Sequence, residues 1–223
     1  MDKHTAYFNL LDALPQEGCA VCRLVYEVEE HYIKDILYSK TTSVKMRHDL
    51  RASRGFCASH ARLLSEIGHA LDLSIIYQDV LMTLSELIEQ PSPRRATGQR
   101  GKRQLSAQMT GEGECPVCTY GDRIKAVYIE THLEHLSDPE FVAKVQKSDP
   151  LCLEHYCQAI EHGMSPAQFE ALRESQLAHW KQLIQELGEF VRKHDHRYRH
   201  EEIGPEGNAW IRAIDAITGT REF

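Results

Sequence analysis

Cysteine thiols and histidine imidazoles set three residues apart are the groups in this chain best suited to chemistry. Cys19 and Cys22 form a CxxC pair, and so do Cys115 and Cys118. Cys57 with His60, and Cys152 with His155, form two CxxH pairs. Thiolate sulfur and neutral imidazole nitrogen are the donors preferred by Zn2+, and three Cys with one His is a closed tetrahedral set. Residues three apart on a helix or helix-entry turn point the same way, so each motif offers two donors together. Helix N-termini favour negative charge, which helps keep the sulfurs as thiolates.

The motifs are duplicated. Cys19-Ala-Val-Cys22 returns as Cys115-Pro-Val-Cys118, and Cys57-Ala-Ser-His60 returns as Cys152-Leu-Glu-His155. Tyr32 answers Tyr128, and Glu66 and Gly68 answer Glu161 and Gly163. Read copy by copy, Cys19, Cys22, Cys57 and His60 are expected to form one site. Cys115, Cys118, Cys152 and His155 are expected to form the other, giving two Zn2+ per chain. Zinc fingers place their second pair roughly 12 to 20 residues after the first. Here the interval is long enough for a whole helix and a short one, which points to a metal-stapled helical unit rather than a DNA-reading finger. Nearby Arg23, Arg54 or Arg62 could offset the excess charge of three thiolates. Iron–sulfur ligation, metal-free thiol clusters and a dithiol redox role are the alternatives that the residues leave open.

The elements that must position these donors read as helices throughout. Residues 19–38 lack Gly and Pro, with Leu24, Val25, Val28, Tyr32, Ile36 and Leu37 at helical spacing. Ser43 caps a short helix closed by Gly55. Cys57 opens a helix that breaks near Gly68, and residues 70–89 form a long helix with Leu73, Ile76, Val80, Leu84, Leu87 and Ile88 on one stripe. The second copy repeats this order: a helix over 116–135, a start at Asp138-Pro139, a Cys152 helix ending near Gly163, and a helix from Ser165-Pro166 to about 193. The last of these carries Leu172, Trp180, Leu183, Ile184, Leu187 and Val191 as its apolar face. A short helix over 206–217 closes at Gly219. No segment alternates at period two. The expected fold is all-α, two homologous helical repeats each stapled by a Cys3His site, plus a short C-terminal helix. The expected organisation is residues 1–90, a flexible basic linker over 91–113 containing Arg94, Arg95, Arg100, Lys102 and Arg103, residues 114–193, and a C-terminal segment over 194–223.

Composition narrows the function classes. The 223 residues carry 26 Lys plus Arg against 33 Asp plus Glu, a formal charge of −7, which argues against a general nucleic-acid binder. No apolar run is long enough to span a membrane, and the N-terminus lacks a secretory h-region. Seven Cys without an export signal suit a reducing cytosol, where metal binding outweighs disulfides. The seventh, Cys157, lies two residues beyond His155 and reads as a buried small hydrophobe. His132 and His135 share a helix face and read as surface groups or supports for ligands, with a further metal site as the alternative. His194, His196 and His200 read as a polar loop or a weak metal site.

The C-terminal segment combines Arg192, Arg197, Tyr198 and Arg199 with Trp210 and Arg212. It is either a helix packed back on the long helices or a groove for a carboxylate, a phosphate or a partner. The twin CxxC…GFCxxH and CxxC…LCxxH layout, the ExG that follows, and the ending RKHDHRYRHEEIGPEGNAWIRAIDAITG resemble a family of uncharacterised bacterial helical proteins, a domain-of-unknown-function family. The resemblance covers nearly the whole chain, with Ala20 departing from the Pro found at 116. It implies a prokaryotic, cytoplasmic protein and no particular activity. The sequence contains no Ser/His/Asp elbow, phosphate loop or dinucleotide fingerprint. The function expected from these readings is non-enzymatic: two structural zinc sites in a scaffold or adaptor for a protein partner. A redox or metal-handling protein is the alternative.

Overall fold

The structure, a computed structural model, describes residues 1–41, 43–89 and 99–220. Among the described residues there are eleven α-helices and no strand. Helix α1 (Lys3–Ala13) is capped by Asp2, whose side chain accepts from the Thr5 amide. Ala6, Leu10 and Leu11 form its buried side. Helix α2 (Ala20–Asp35) runs on into one turn of π-helix at Ile36–Lys40, and α3 (Val44–Ser53) starts at the Ser43 cap. Its end is a left-handed pair: Arg54 has φ 59° and Gly55 φ 100°, and the Gly55 amide returns to Leu50 O. Helices α4 (Ala58–Ile67) and α5 (Ala70–Glu89) follow, and then α6 (Gln99–Thr110).

The second stretch repeats the order. Helix α7 (Pro116–Glu134) ends in a 3-10 turn, and α8 (Pro139–Val145) begins at Asp138. Helices α9 (Leu153–Glu161), α10 (Pro166–Lys193) and α11 (Ala209–Thr218) complete the chain. Helix α10 opens on a full capping box, Ser165 bonding the Gln168 amide while the Gln168 side chain returns to Ser165 N. Among the described residues no helix is long and apolar enough to cross a membrane.

The chain divides into two compact units. The first comprises Met1–Tyr26 and Ile124–Phe223, and the second Glu27–Arg123. The divisions fall inside α2 and α7, so each of these helices contributes to both units. The units therefore do not follow the sequence copies. The second unit is built on Ile33, Ile36, Met46, Leu50, Leu64, Ile76 and Val80, joined by Cys115 and Val117. In the first unit Tyr128 and Phe141 are fully buried, and Asn9 donates to the Tyr128 hydroxyl at 3.0 Å.

Two sequence expectations are corrected here, for the linker and for the α10 stripe. The linker expectation fails over 99–113: residues 99–110 form α6, which packs along α5. The Glu112 and Gly113 amides then both donate to Ala52 O. Gln, Arg, Lys, Leu, Ala and Met in this stretch are all good helix formers. Arg94 and Arg95 lie outside the described residues. The apolar stripe of α10 is buried at Leu172, but Ile184 and Val191 are exposed. Helix α11 buries Ala209 and Ala216 and leaves Trp210, Ile211, Ile214 and Ile217 exposed, because its small residues make the closer approach.

A buried ion pair fastens the end of α10 to the turn before α11. Lys193 Nζ meets Glu206 Oε1 at 2.7 Å with both side chains largely shielded, and the Gly204 amide donates to the same carboxylate oxygen. Lys193 and then Gly204 hold the Glu206 carboxyl down at about 2, below the 4.5 expected of a free glutamate. A depressed carboxyl stabilises the fold above its unfolded pKa, and that contribution is lost as pH falls from about 4.5 toward 2. Wild type should lose stability over this window more steeply than Glu206→Gln in urea unfolding at stepped pH. Equal slopes in the two proteins would contradict the assignment.

Candidate metal centres

The donors converge in two quartets, and each quartet takes one half from each copy. Cys19 and Cys22 meet Cys152 and His155; Cys57 and His60 meet Cys115 and Cys118. Within each quartet all donor atoms lie within 4.8 Å of one another. The copy-by-copy grouping is thus corrected, while all eight expected residues remain in donor positions. The reason is reach. Helix α2 and its π turn carry the chain about 30 Å away from Cys22, and the ten-residue α3 can return it only about 15 Å. The second copy has the same imbalance, a long α7 followed by the seven-residue α8. The helices alone therefore leave each CxxH motif short of its own CxxC, which favours completion of the quartet by the other copy. Each quartet lies wholly within one unit, the first in Met1–Tyr26 with 124–223 and the second in Glu27–Arg123.

Distances within the quartets fit a single ion. In the first, Nδ1 of His155 is 3.4 Å from Cys19 Sγ, 3.4 Å from Cys22 Sγ and 3.3 Å from Cys152 Sγ, and Cys22 and Cys152 are 3.6 Å apart. In the second, Nδ1 of His60 is 3.2 Å from Cys57 Sγ, 3.5 Å from Cys115 Sγ and 3.3 Å from Cys118 Sγ, with Cys57 and Cys118 3.7 Å apart. A tetrahedron built on ordinary zinc–sulfur and zinc–nitrogen bonds has edges of about 3.8 Å between sulfurs and about 3.6 Å between sulfur and nitrogen. No sulfur is in a disulfide.

Local structure presents these atoms. Cys57 and Cys152 are the N-cap residues of α4 and α9 with nearly identical extended backbones, and neither side chain is used as a cap. The CxxC pairs sit at the first turns of α2 and α7. The backbone amides of Cys118, Cys57 and Val117 favour the thiolate of Cys115, and those of Cys152 and Cys22 that of Cys19. Burial opposes ionisation of Cys115, but bonds from His60 and these amides bring it down to about 6. Cys19 is lowered chiefly by the neighbouring Cys152 and Cys22 thiols. Cys22 is raised by the Cys152 and Cys19 sulfurs, and Cys118 by burial and the charge on Cys115. Burial pulls His60 down, yet Cys115 and Glu29 together carry it up to about 10. Without an ion, the second quartet thus holds a thiolate beside an imidazolium. A divalent cation would take the place of those protons.

The first quartet has a lid that sequence reasoning missed. Gly219, at φ 84°, lies so close that a β-carbon there would stand 3.1 Å from Cys22 Sγ and 3.7 Å from Cys152 Sγ. The next residue, Thr220, accepts the Cys19 amide at 3.0 Å. Gly18, at φ 78°, donates its amide to Asp149 at 2.6 Å and has no room for a side chain beside Thr220. Arg23 bonds the carbonyls of Ala13, Glu17 and Gly18, holding the approach to Cys19. Arg23 is thus spent on backbone carbonyls, and Arg54 likewise on those of Arg51 and Gln108.

The remaining candidate residues fall elsewhere. Cys157 is exposed rather than buried, on the face of α9 opposite His155. His132 is buried against the Phe141 ring, and burial lowers it to about 4; His135 packs on Tyr7. Neither joins a metal-type group among the described residues, nor do His194, His196 and His200. Of the C-terminal patch, Arg192 and Arg197 both lie over Tyr198. Their guanidinium groups are engaged by Glu189 and Glu201, and by Asp195, respectively. Arg212 pairs with Glu186 and reaches Asn208, while Arg199 and Trp210 are exposed.

No solved structure matches this chain. The chain is 22% identical over 219 residues, spanning 95% of its own length and all of the relative, to an "Uncharacterized 23.9 kDa protein in xynA 3'region" of Caldicellulosiruptor sp. (strain Rt8B.4). Residues 1–222 match the family described as "Family of unknown function (DUF6062)", and the chain belongs to that family.

Proposed function

We propose that this chain is a non-enzymatic helical protein of the reducing cytosol that holds two structural Zn2+ ions, one per quartet, and serves as a scaffold for a protein partner. The observation that carries this reading is the set of donor separations, which match the edges of a zinc tetrahedron in both quartets. All four corners are protein donors, so such an ion has no open position for a substrate or an activated water. The compactness of each quartet favours one ion over an iron–sulfur cluster, whose cysteines are shared among several irons. The adaptor role draws on Trp210, Ile214 and Ile217 of α11 and Val191 of α10, apolar side chains that the fold leaves half or more exposed.

Elemental analysis of anaerobically isolated protein should find two zinc per chain and a colourless solution. Stripping both ions with a strong chelator should unfold it cooperatively by circular dichroism. A brown preparation would support the redox alternative, and a metal-free protein that stays fully folded would overturn the structural role. Acidification should release the metal. His60 and Cys118 both hold protons at neutral pH in the ion-free quartet, so at least two protons compete with the ion. Apparent affinity there should drop about 100-fold or more per pH unit below 7. Affinity independent of pH, in competition against a dye whose own proton binding is known, would contradict this.

A further inference from the structure

We infer that Glu29 is a positioning residue for the second quartet, orienting His60 for metal ligation, and that Gly121 is the clearing that admits it. The inference rests on the metal-binding reading above. His60 faces the sulfurs with Nδ1, while its other ring nitrogen, Nε2, lies 3.2 Å from Glu29 Oε2. Both side chains are largely shielded, at 10% and 18% exposure. A metal-ligating imidazole that donates its second N–H to a carboxylate is fixed in tautomer and ring orientation, and its ligating nitrogen becomes more basic. The carboxylate crosses α7 at Gly121, where a β-carbon would stand 2.2 Å from Glu29 Oε1. A side chain at 121 would force that carboxylate to move.

The two quartets are not equivalent in this respect. At the offset that relates the CxxC motifs, Lys125 stands in place of Glu29 and Val25 in place of Gly121. Lys125 pairs instead with Glu154 at 3.1 Å. The register that supplies an anion to one imidazole supplies a cation at the matching position of the other copy. Glu29 should therefore matter to one of the two ions only.

Co2+ and Zn2+ titration of the full chain against a competing chelator tests this, with thiolate–cobalt absorption reporting each site. Wild type should bind two ions. Glu29→Ala should lose 10- to 100-fold in affinity at one site and leave the other unchanged. Thiol alkylation with peptide mapping should then find Cys57, Cys115 and Cys118 exposed to reagent while Cys19, Cys22 and Cys152 stay protected. Glu29→Gln, whose amide oxygen still accepts from Nε2, should recover part of the loss. Gly121→Ala should weaken the same site with Glu29 still present. If Glu29→Ala leaves both affinities within twofold of wild type, or lowers both equally, Glu29 has no such role and the metal reading stands. If wild type binds neither ion, the metal reading itself fails and this inference goes with it.

Discussion

Four Cys and His side chains from two distant stretches of chain meet with their sulfur and nitrogen atoms within 4.8 Å of one another, and this happens twice. The rest of the architecture follows from that constraint. Each CxxC opens a long helix that carries the chain away, and the short helix after it is too short to bring the chain home. The CxxH that follows completes a quartet begun by the other copy. The duplication thus yields two nested closures: Cys57 with Cys118 inside, 61 residues apart, and Cys22 with Cys152 outside, 130 apart. Each compact unit has its own quartet.

Magnitudes show what an ion at each quartet would contribute. By analogy with covalent cross-links, closing loops of this size removes about 4 to 5 kcal/mol of unfolded-state entropy apiece. That is comparable to the whole stability of many small domains. The nesting adds little of its own, since forming the inner closure first shortens the outer loop by about half and saves only about 0.5 kcal/mol. The surroundings differ more than the quartets do. One is covered by the chain's own C-terminal turn, with Gly219 laid against two sulfurs. The other relies on a carboxylate threaded past Gly121. The glycines 18, 121 and 219 each sit at a close approach, and 18 and 219 also hold the positive φ of a turn.

Local signals were legible in the sequence wherever they were chemical. Pro166 behind Ser165, and the Gly68 break before Ala70, set the limits of α10 and α5 as read from the residues. All eight donors were identified from type and spacing. Their grouping was misread, although helix length arithmetic over residues 20–53 already bears on it. Helix α1 was overlooked despite Asp2, Thr5 and the Ala6, Leu10, Leu11 spacing. Cys157 was misplaced because residue type does not reveal which face finds a neighbour, and α11 likewise approaches through Ala209 and Ala216 rather than its larger residues. Glu29 could not have been found from local pattern at all. It acts across two helices, and its only trace is that Gly121 has no counterpart in the first copy.

Counting zinc in paired variants tests the exchanged pairing most directly. Cys22→Ser with His155→Ala damages one quartet twice, so that protein should retain one ion per chain. Cys22→Ser with His60→Ala damages both quartets and should retain none. Sites built copy by copy would reverse the two results, and that reversal would contradict the account.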